Sequence, residues 1–257
     1  MTTVFAVSGK GGVGKTTMSS LVVKYLVEAG RKPLLAVDAD SNSNLDLALG
    51  VKLAKTIGGV REDMSVQTHK GTLPAGMAKQ DILEMQIEQA LVETPDFDLI
   101  SMGRPEGPGC YCAINNMLRV FLDRLNKNYE TVVVDNEAGM EHLSRRTTRG
   151  IDVMFIVSDP SVRGLATAMR IRDLAVEMEI GVGSFKLVLS RVRGELAATL
   201  ADEIAGLDIE FAGVIPDDPE VATFDEEGRP LIELGEDSAA RAAVSRIMDS
   251  VLEGAKG

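Results

Sequence analysis

The first thirty residues constrain the fold more than any other stretch of this chain. An apolar run, Thr3–Ser8, passes into the loop SGKGGVGKTT, and an amphipathic stretch, Thr16–Ala29, follows at once. A strand that turns into a helix through a glycine-rich loop needs a sheet to pair the strand and a second layer to cover the helix. Gly9, four residues, then Gly14, Lys15 and Thr16 satisfy the Walker A spacing. Its glycines let backbone N–H groups converge on phosphate oxygens, and the helix N-terminus adds a favourable dipole. A lysine at position 15 can neutralise β- and γ-phosphates, and a hydroxyl at position 16 can bind Mg²⁺. The predicted phosphate cradle is therefore Gly9, Lys10, Gly11, Gly12, Val13, Gly14, Lys15, Thr16 and Thr17.

Short β-rich runs alternate with helical patterns through the rest of the chain. Strands are expected at Thr3–Ser8, Pro33–Val37, Phe97–Met102, Thr131–Asp135, Asp152–Ser158, Ser184–Leu189 and Glu210–Val214. Helices are expected at Thr16–Ala29, Lys79–Val92, Ile114–Leu125, Val162–Met178, Glu195–Ala205 and Ala239–Leu252. This alternation predicts an α/β fold: one domain over residues 1–257, with a mainly parallel sheet flanked by helices on both faces. Leu53–Gly76, with its scattered glycines, gives no assignable pattern. The net charge of −12 disfavours a general nucleic-acid partner, which needs a basic face. No apolar run reaches membrane-spanning length and no signal peptide is evident, so a cytoplasmic chain without membrane attachment is expected.

Three further segments carry chemistry. The strand Pro33–Val37 ends in DADSNSN, which places Asp38 and Asp40 at the carboxyl end of a parallel strand, where α/β sheets put ligands. Both could instead cap a following helix. The strand Thr131–Asp135 ends in a Walker B aspartate, Asp135, able to hold Mg²⁺ through water. The loop GRPEGPGCYCAINNMLR contains the chain's two cysteines, Cys110 and Cys112. A helix N-terminus beside them would favour thiolates. Two thiolates are too few for a closed tetrahedral site, but a two-fold dimer supplies four. Two ordinary loop cysteines remain the other reading.

The run KGGVGKTT resembles the deviant Walker A of the family that contains MinD, ParA and the nitrogenase iron protein. That resemblance implies ATP as the nucleotide and a face-to-face homodimer, with Lys10 reaching the partner's nucleotide. It implies Asp40 as the residue that orients or activates the attacking water, and Asp38 as a group that meets Mg²⁺ through water. Gly139, in the segment from Asp135, would approach the γ-phosphate through its backbone. VIPDDPEV resembles the family's adenine loop and places Pro216 and Asp217 near the base, although a plain turn explains them equally well. Ser190 stands where relatives often have Asn.

The paired cysteines, the run DNEAGMEHLSRR and the phosphate loop together resemble the CooC/AcsF-type nickel-insertion ATPases. The implied function is an ATP-hydrolysing metallochaperone for carbon monoxide dehydrogenase or acetyl-CoA synthase. Ni²⁺ or Zn²⁺ would be held between subunits by Cys110 and Cys112, on a loop (103–113) inserted at the dimer face. Thiolates suit either ion. Two other readings stand beside it: a positioning ATPase like MinD or ParA, and an iron–sulfur reductase like the nitrogenase iron protein. The reductase takes a second cluster cysteine from the Asp135-type switch, which has none here.

Overall fold

Helices cover both faces of the sheet, which is why its central strands are apolar without interruption. The computed structural model describes residues 2–40, 44–74, 76–103, 128–136 and 150–254. In chain order these form β1 (Thr3–Gly9), α1 (Lys15–Glu28), β2 (Leu34–Ala39), the short α2 (Leu45–Ala48), α3 (Ile57–Lys70), α4 (Lys79–Glu88), β3 (Val92–Glu93) and β4 (Asp98–Ser101). Then follow β5 (Thr131–Asn136), β6 (Ile151–Ser158), α5 (Val162–Glu177), β7 (Val182–Val192), α6 (Ala198–Ala205), β8 (Glu210–Pro216), α7 (Pro219–Glu227), a 3₁₀ turn (Leu231–Glu233) and α8 (Ala239–Gly254). The eight strands form one sheet in the order β3-β4-β2-β5-β1-β6-β7-β8. All neighbours run parallel except the β3–β4 pair at one edge.

Alternation along each strand divides the core in two. Val4 and Ala6 of β1, with Val132 and Val134 of β5, pack beneath α3, α4, α5 and α6. Phe5, Val7 and Val133 pack beneath α1, α2, α7 and α8. β1 lies between β5 and β6, so the chain leaves it towards both edges of the sheet. In doubly wound sheets such a reversal opens a crevice at the carboxyl ends of the strands.

Several expectations need correction. The stretch without a clear pattern contains a fourteen-residue helix, α3, capped by Thr56, whose hydroxyl accepts from the N–H of Gly59. The helix expected to run to Val92 stops at Glu88, because Val92 pairs with Leu99 as part of the antiparallel edge. The helix expected from Glu195 begins at Ala198. A helix at Pro219–Glu227 was not anticipated. The expected helix Ile114–Leu125 lies outside the described residues. Among the described residues no helix is long and apolar enough to cross a membrane.

One junction ties α3 to the sheet. Met102, just past β4, donates its N–H to the carbonyl of Asp38 (2.7 Å) and accepts from the N–H of Gly58 (2.8 Å). Gly103 follows with φ +60, and a Cβ there would collide with the Thr56 side chain. Only glycine meets both conditions.

Candidate functional site

The loop from β1 to α1 ends at Gly14, the N-cap of α1, with φ 94. That left-handed conformation suits glycine, and a Cβ would lie 3.0 Å from the Ser190 hydroxyl. Ser190 is buried against the loop. Lys15 is buried at the first turn of α1, and its Nζ donates to the Lys10 carbonyl at 3.4 Å. The Lys10 residue itself is exposed. Thr16 donates its hydroxyl to Asp135 Oδ2 at 2.7 Å, and Ser19, one turn further along α1, donates to Oδ1 at 3.0 Å. Parallel pairing puts Asp135 beside Val7 of β1 and Asp38 of β2. The phosphate loop, α1 and two strand-end carboxylates therefore converge at the sheet's carboxyl edge.

Asp38 takes the capping role. Its carboxylate accepts from the N–H of Asp40 (3.0 Å) and from the N–H of Leu45 (3.1 Å) at the start of α2. Burial pushes its carboxyl up to about 7, against those hydrogen bonds, and the nearby Asp135 charge adds to the rise. Burial likewise pushes Asp135 up to about 6, although Thr16, Ser19 and the Lys15 charge pull it down. Both carboxyls thus hold a proton more tightly in the fold than in the open chain. The ligand-free fold then loses stability as pH rises from about 4, the unfolded carboxylate value, through these raised values. Asp38→Asn removes the titration while keeping a carbonyl acceptor. Relative to wild type, its melting temperature should rise at about pH 8 and change little near about pH 4. Equal destabilisation at both pH values would show that only the carboxylate's hydrogen bonds matter.

A cavity of about 580 Å³ opens at this edge. Its lining includes Gly11, Gly12, Gly14, Lys15, Thr16 and Thr17 of the phosphate loop and α1, and Asp40, Asn44, Leu47 and Ala48 between β2 and the end of α2. The remaining lining comes from Arg191, Phe224, Asp225, Gly228, Arg229 and Leu231. Asp40 thus shares a cavity with Lys15 and Thr16. Pro216 and Asp217 are not part of the lining: Pro216 pairs with Val192, and Asp217 accepts from Arg193 at 2.6 Å. Arg191, Phe224 and Arg229 were missed from the sequence. Ser19, the second partner of Asp135, was also missed, although its place one turn after Thr16 could have revealed it. Cys110, Cys112 and Gly139 lie outside the described residues. Among the described residues no group of three or more His, Cys, Asp or Glu is placed to hold a metal ion.

A glycine-rich cradle at the carboxyl edge of a parallel sheet, backed by a carboxylate on the adjoining strand, defines a P-loop nucleotide-binding protein of the doubly wound α/β class. The chain belongs to the CobQ/CobB/MinD/ParA nucleotide-binding domain family, matching it over residues 4–231. An uncharacterized ATP-binding protein of Methanocaldococcus jannaschii is 44% identical over 249 residues, covering 97% of this chain and 98% of that protein. The carbon monoxide dehydrogenase accessory protein CooC of Rhodospirillum rubrum is 30% identical over 260 residues, covering 96% and 95%. The septum site-determining protein MinD of Pyrococcus horikoshii, solved with Mg-ADP, superposes with a TM-score of 0.67. It covers 100% of this chain and 99% of that one at 22% identity, and so shows a shared fold.

Proposed function

We propose that this chain is an Mg²⁺-dependent ATPase that acts as a homodimer and delivers nickel, through Cys110 and Cys112, to carbon monoxide dehydrogenase or acetyl-CoA synthase. The ATPase reading is carried by one observation: Thr16 and Asp135 are hydrogen-bonded at 2.7 Å where the loop meets the sheet, with Lys15 and Asp40 in the adjoining cavity. A hydroxyl and a carboxylate are hard oxygen donors and fit Mg²⁺. Thr16 would ligate the ion directly and Asp135 through water. When bound, Mg²⁺ offsets charge on the β- and γ-phosphate oxygens. The Lys15 ammonium, now on a carbonyl at the long distance of 3.4 Å, would exchange that contact for phosphate oxygens. Asp40 would orient the attacking water and take its proton. The exposed Lys10 would meet the phosphates of a facing copy, offsetting transition-state charge from outside the protomer.

The metal-delivery reading is supported by the near full-length likeness to CooC together with the CxC pair in the sequence. Four thiolates contributed by two copies would complete one site, and nickel is then cargo rather than a resident cofactor. A positioning ATPase is the second reading, favoured by the fold shared with MinD. Metal content and mass in solution, measured with and without ATP, separate the two. One metal per two chains is expected, lost in Cys110→Ser/Cys112→Ser while ATP binding is kept. An unchanged metal content in the double variant would move the assignment to the positioning ATPase. A visibly coloured protein carrying iron and sulfide would instead indicate the reductase.

A further inference from the structure

We infer that the nucleobase is received in a slot between Leu47 on α2 and a stacked Arg229–Phe224 pair, and that Arg229 is the residue that positions the purine. This rests on the nucleotide-site reading above and names the part of that site that holds the base. The phosphate loop supplies part of the lining and would take the phosphates, so the base must find its surface among the other lining residues. Those residues include a flat platform. The Arg229 guanidinium carbon lies 3.8 Å from the centroid of the Phe224 ring. Phe224 is buried beneath it, whereas the Arg229 side chain is 49% exposed and lines the cavity. The guanidinium thus rests over the ring while about half of the Arg229 side chain remains accessible. Glu227, with a carboxylate oxygen 3.3 Å from Nη1, restrains the plane.

Leu47 supplies the second surface. It is 68% exposed, the most exposed of the large hydrophobic side chains among the described residues, and it borders the same cavity. The two segments approach each other closely: a Cβ on Gly50, three residues after Leu47, would stand 2.7 Å from Cγ of Pro230, which follows Arg229. Leu231 is buried and also contributes to the lining. A planar purine fits between a planar cation and an apolar side chain, because a guanidinium stacks on aromatic faces and covering Leu47 removes apolar surface from water. Stacking reads the flatness of a base rather than the pattern of its edge. Arg229 therefore supplies affinity for both purines alike, and choice between them belongs to other groups.

Equilibrium binding of ATP, GTP and inorganic tripolyphosphate, each with Mg²⁺, to wild type, Arg229→Ala, Arg229→Lys and Leu47→Ala tests the slot. Arg229→Ala should weaken ATP and GTP equally, by about tenfold, or about 1.4 kcal/mol, and leave tripolyphosphate unchanged. Arg229→Lys, which keeps the charge but not the plane, should recover little of the loss. Leu47→Ala should weaken both nucleotides by about threefold. Both positions are exposed, and thermal melts verify that the variants fold. If wild type binds all three ligands and both alanine variants keep its affinity for ATP, the slot is wrong while the nucleotide site stands. A loss for tripolyphosphate matching that for ATP would also overturn it, placing Arg229 at the phosphates. A wild-type chain that binds none of the three overturns the nucleotide-site reading and the slot with it.

Discussion

Lys15→Ala is expected to lower the rate of ATP hydrolysis by at least about 10³-fold, the largest effect of any single substitution in the chain. Lys15 is buried at the start of α1, held between the loop carbonyl of Lys10 and the field of Asp135. No other buried cation lines the cavity among the described residues. Alanine leaves the glycine loop and the helix dipole in place, so nucleotide binding should weaken without disappearing, while charge developing on the transferred phosphoryl group loses its nearest compensation. Release of phosphate under saturating Mg-ATP measures the effect. A rate within about tenfold of wild type would remove Lys15 from the reaction. Because alanine also removes a positive charge near Asp135, a companion Lys15→Arg variant is informative. It keeps the charge but cannot fit the same buried space, so it should remain impaired.

Asp40→Ala should give the second largest effect and a different pattern. Turnover is expected to fall by about 10²-fold or more, with affinity for ATP kept within a few-fold of wild type. Asp40 follows β2 and lines the cavity with Thr16, while the neighbouring Asp38 performs the structural task of holding the first N–H of α2. The division between the two carboxylates predicts that Asp40→Ala folds normally. Binding of a non-hydrolysable analogue, alongside single-turnover hydrolysis, checks both halves. Loss of binding in Asp40→Ala would refute its place as the residue that acts on water.

Much of this arrangement was legible from residue pattern alone. The strands β1, β2, β5 and β6 read clearly because they are buried on both faces and so carry unbroken apolar runs. The phosphate loop was legible because its chemistry requires fixed residues at fixed spacing. What could not be read shares a different cause. α3 was obscured by Gly58 and Gly59 in its first turn, residues that lower helix propensity. They are tolerated because the Gly58 N–H bonds the Met102 carbonyl and Thr56 caps Gly59, contacts set by tertiary structure. α7 has no place among the expected helices, although Asp218 is its N-cap and Pro219 its first residue, a pairing typical of helix starts. The Arg229–Phe224 pair is set by the end of α7, where left-handed Gly228 lets the Arg229 N–H bond the Phe224 carbonyl at 2.8 Å, a C-cap that a lone glycine in the sequence signals only weakly.

The stitching around Met102 has a mechanical meaning. Asp38 holds Met102 through one backbone bond, Met102 holds α3 through another, and Gly103 is wedged under Thr56. Three pieces of chain, the end of β2, the end of β4 and the start of α3, are thereby fastened to one another. Asp38 also accepts from the amide of Asp40, so the same junction reaches the carboxylate proposed above to act on water. Gly103, at the other side of the junction, is the residue after which the sequence continues to Cys110 and Cys112. A packed junction of this kind leaves the end of β2 and the start of α3 little room to shift independently of each other.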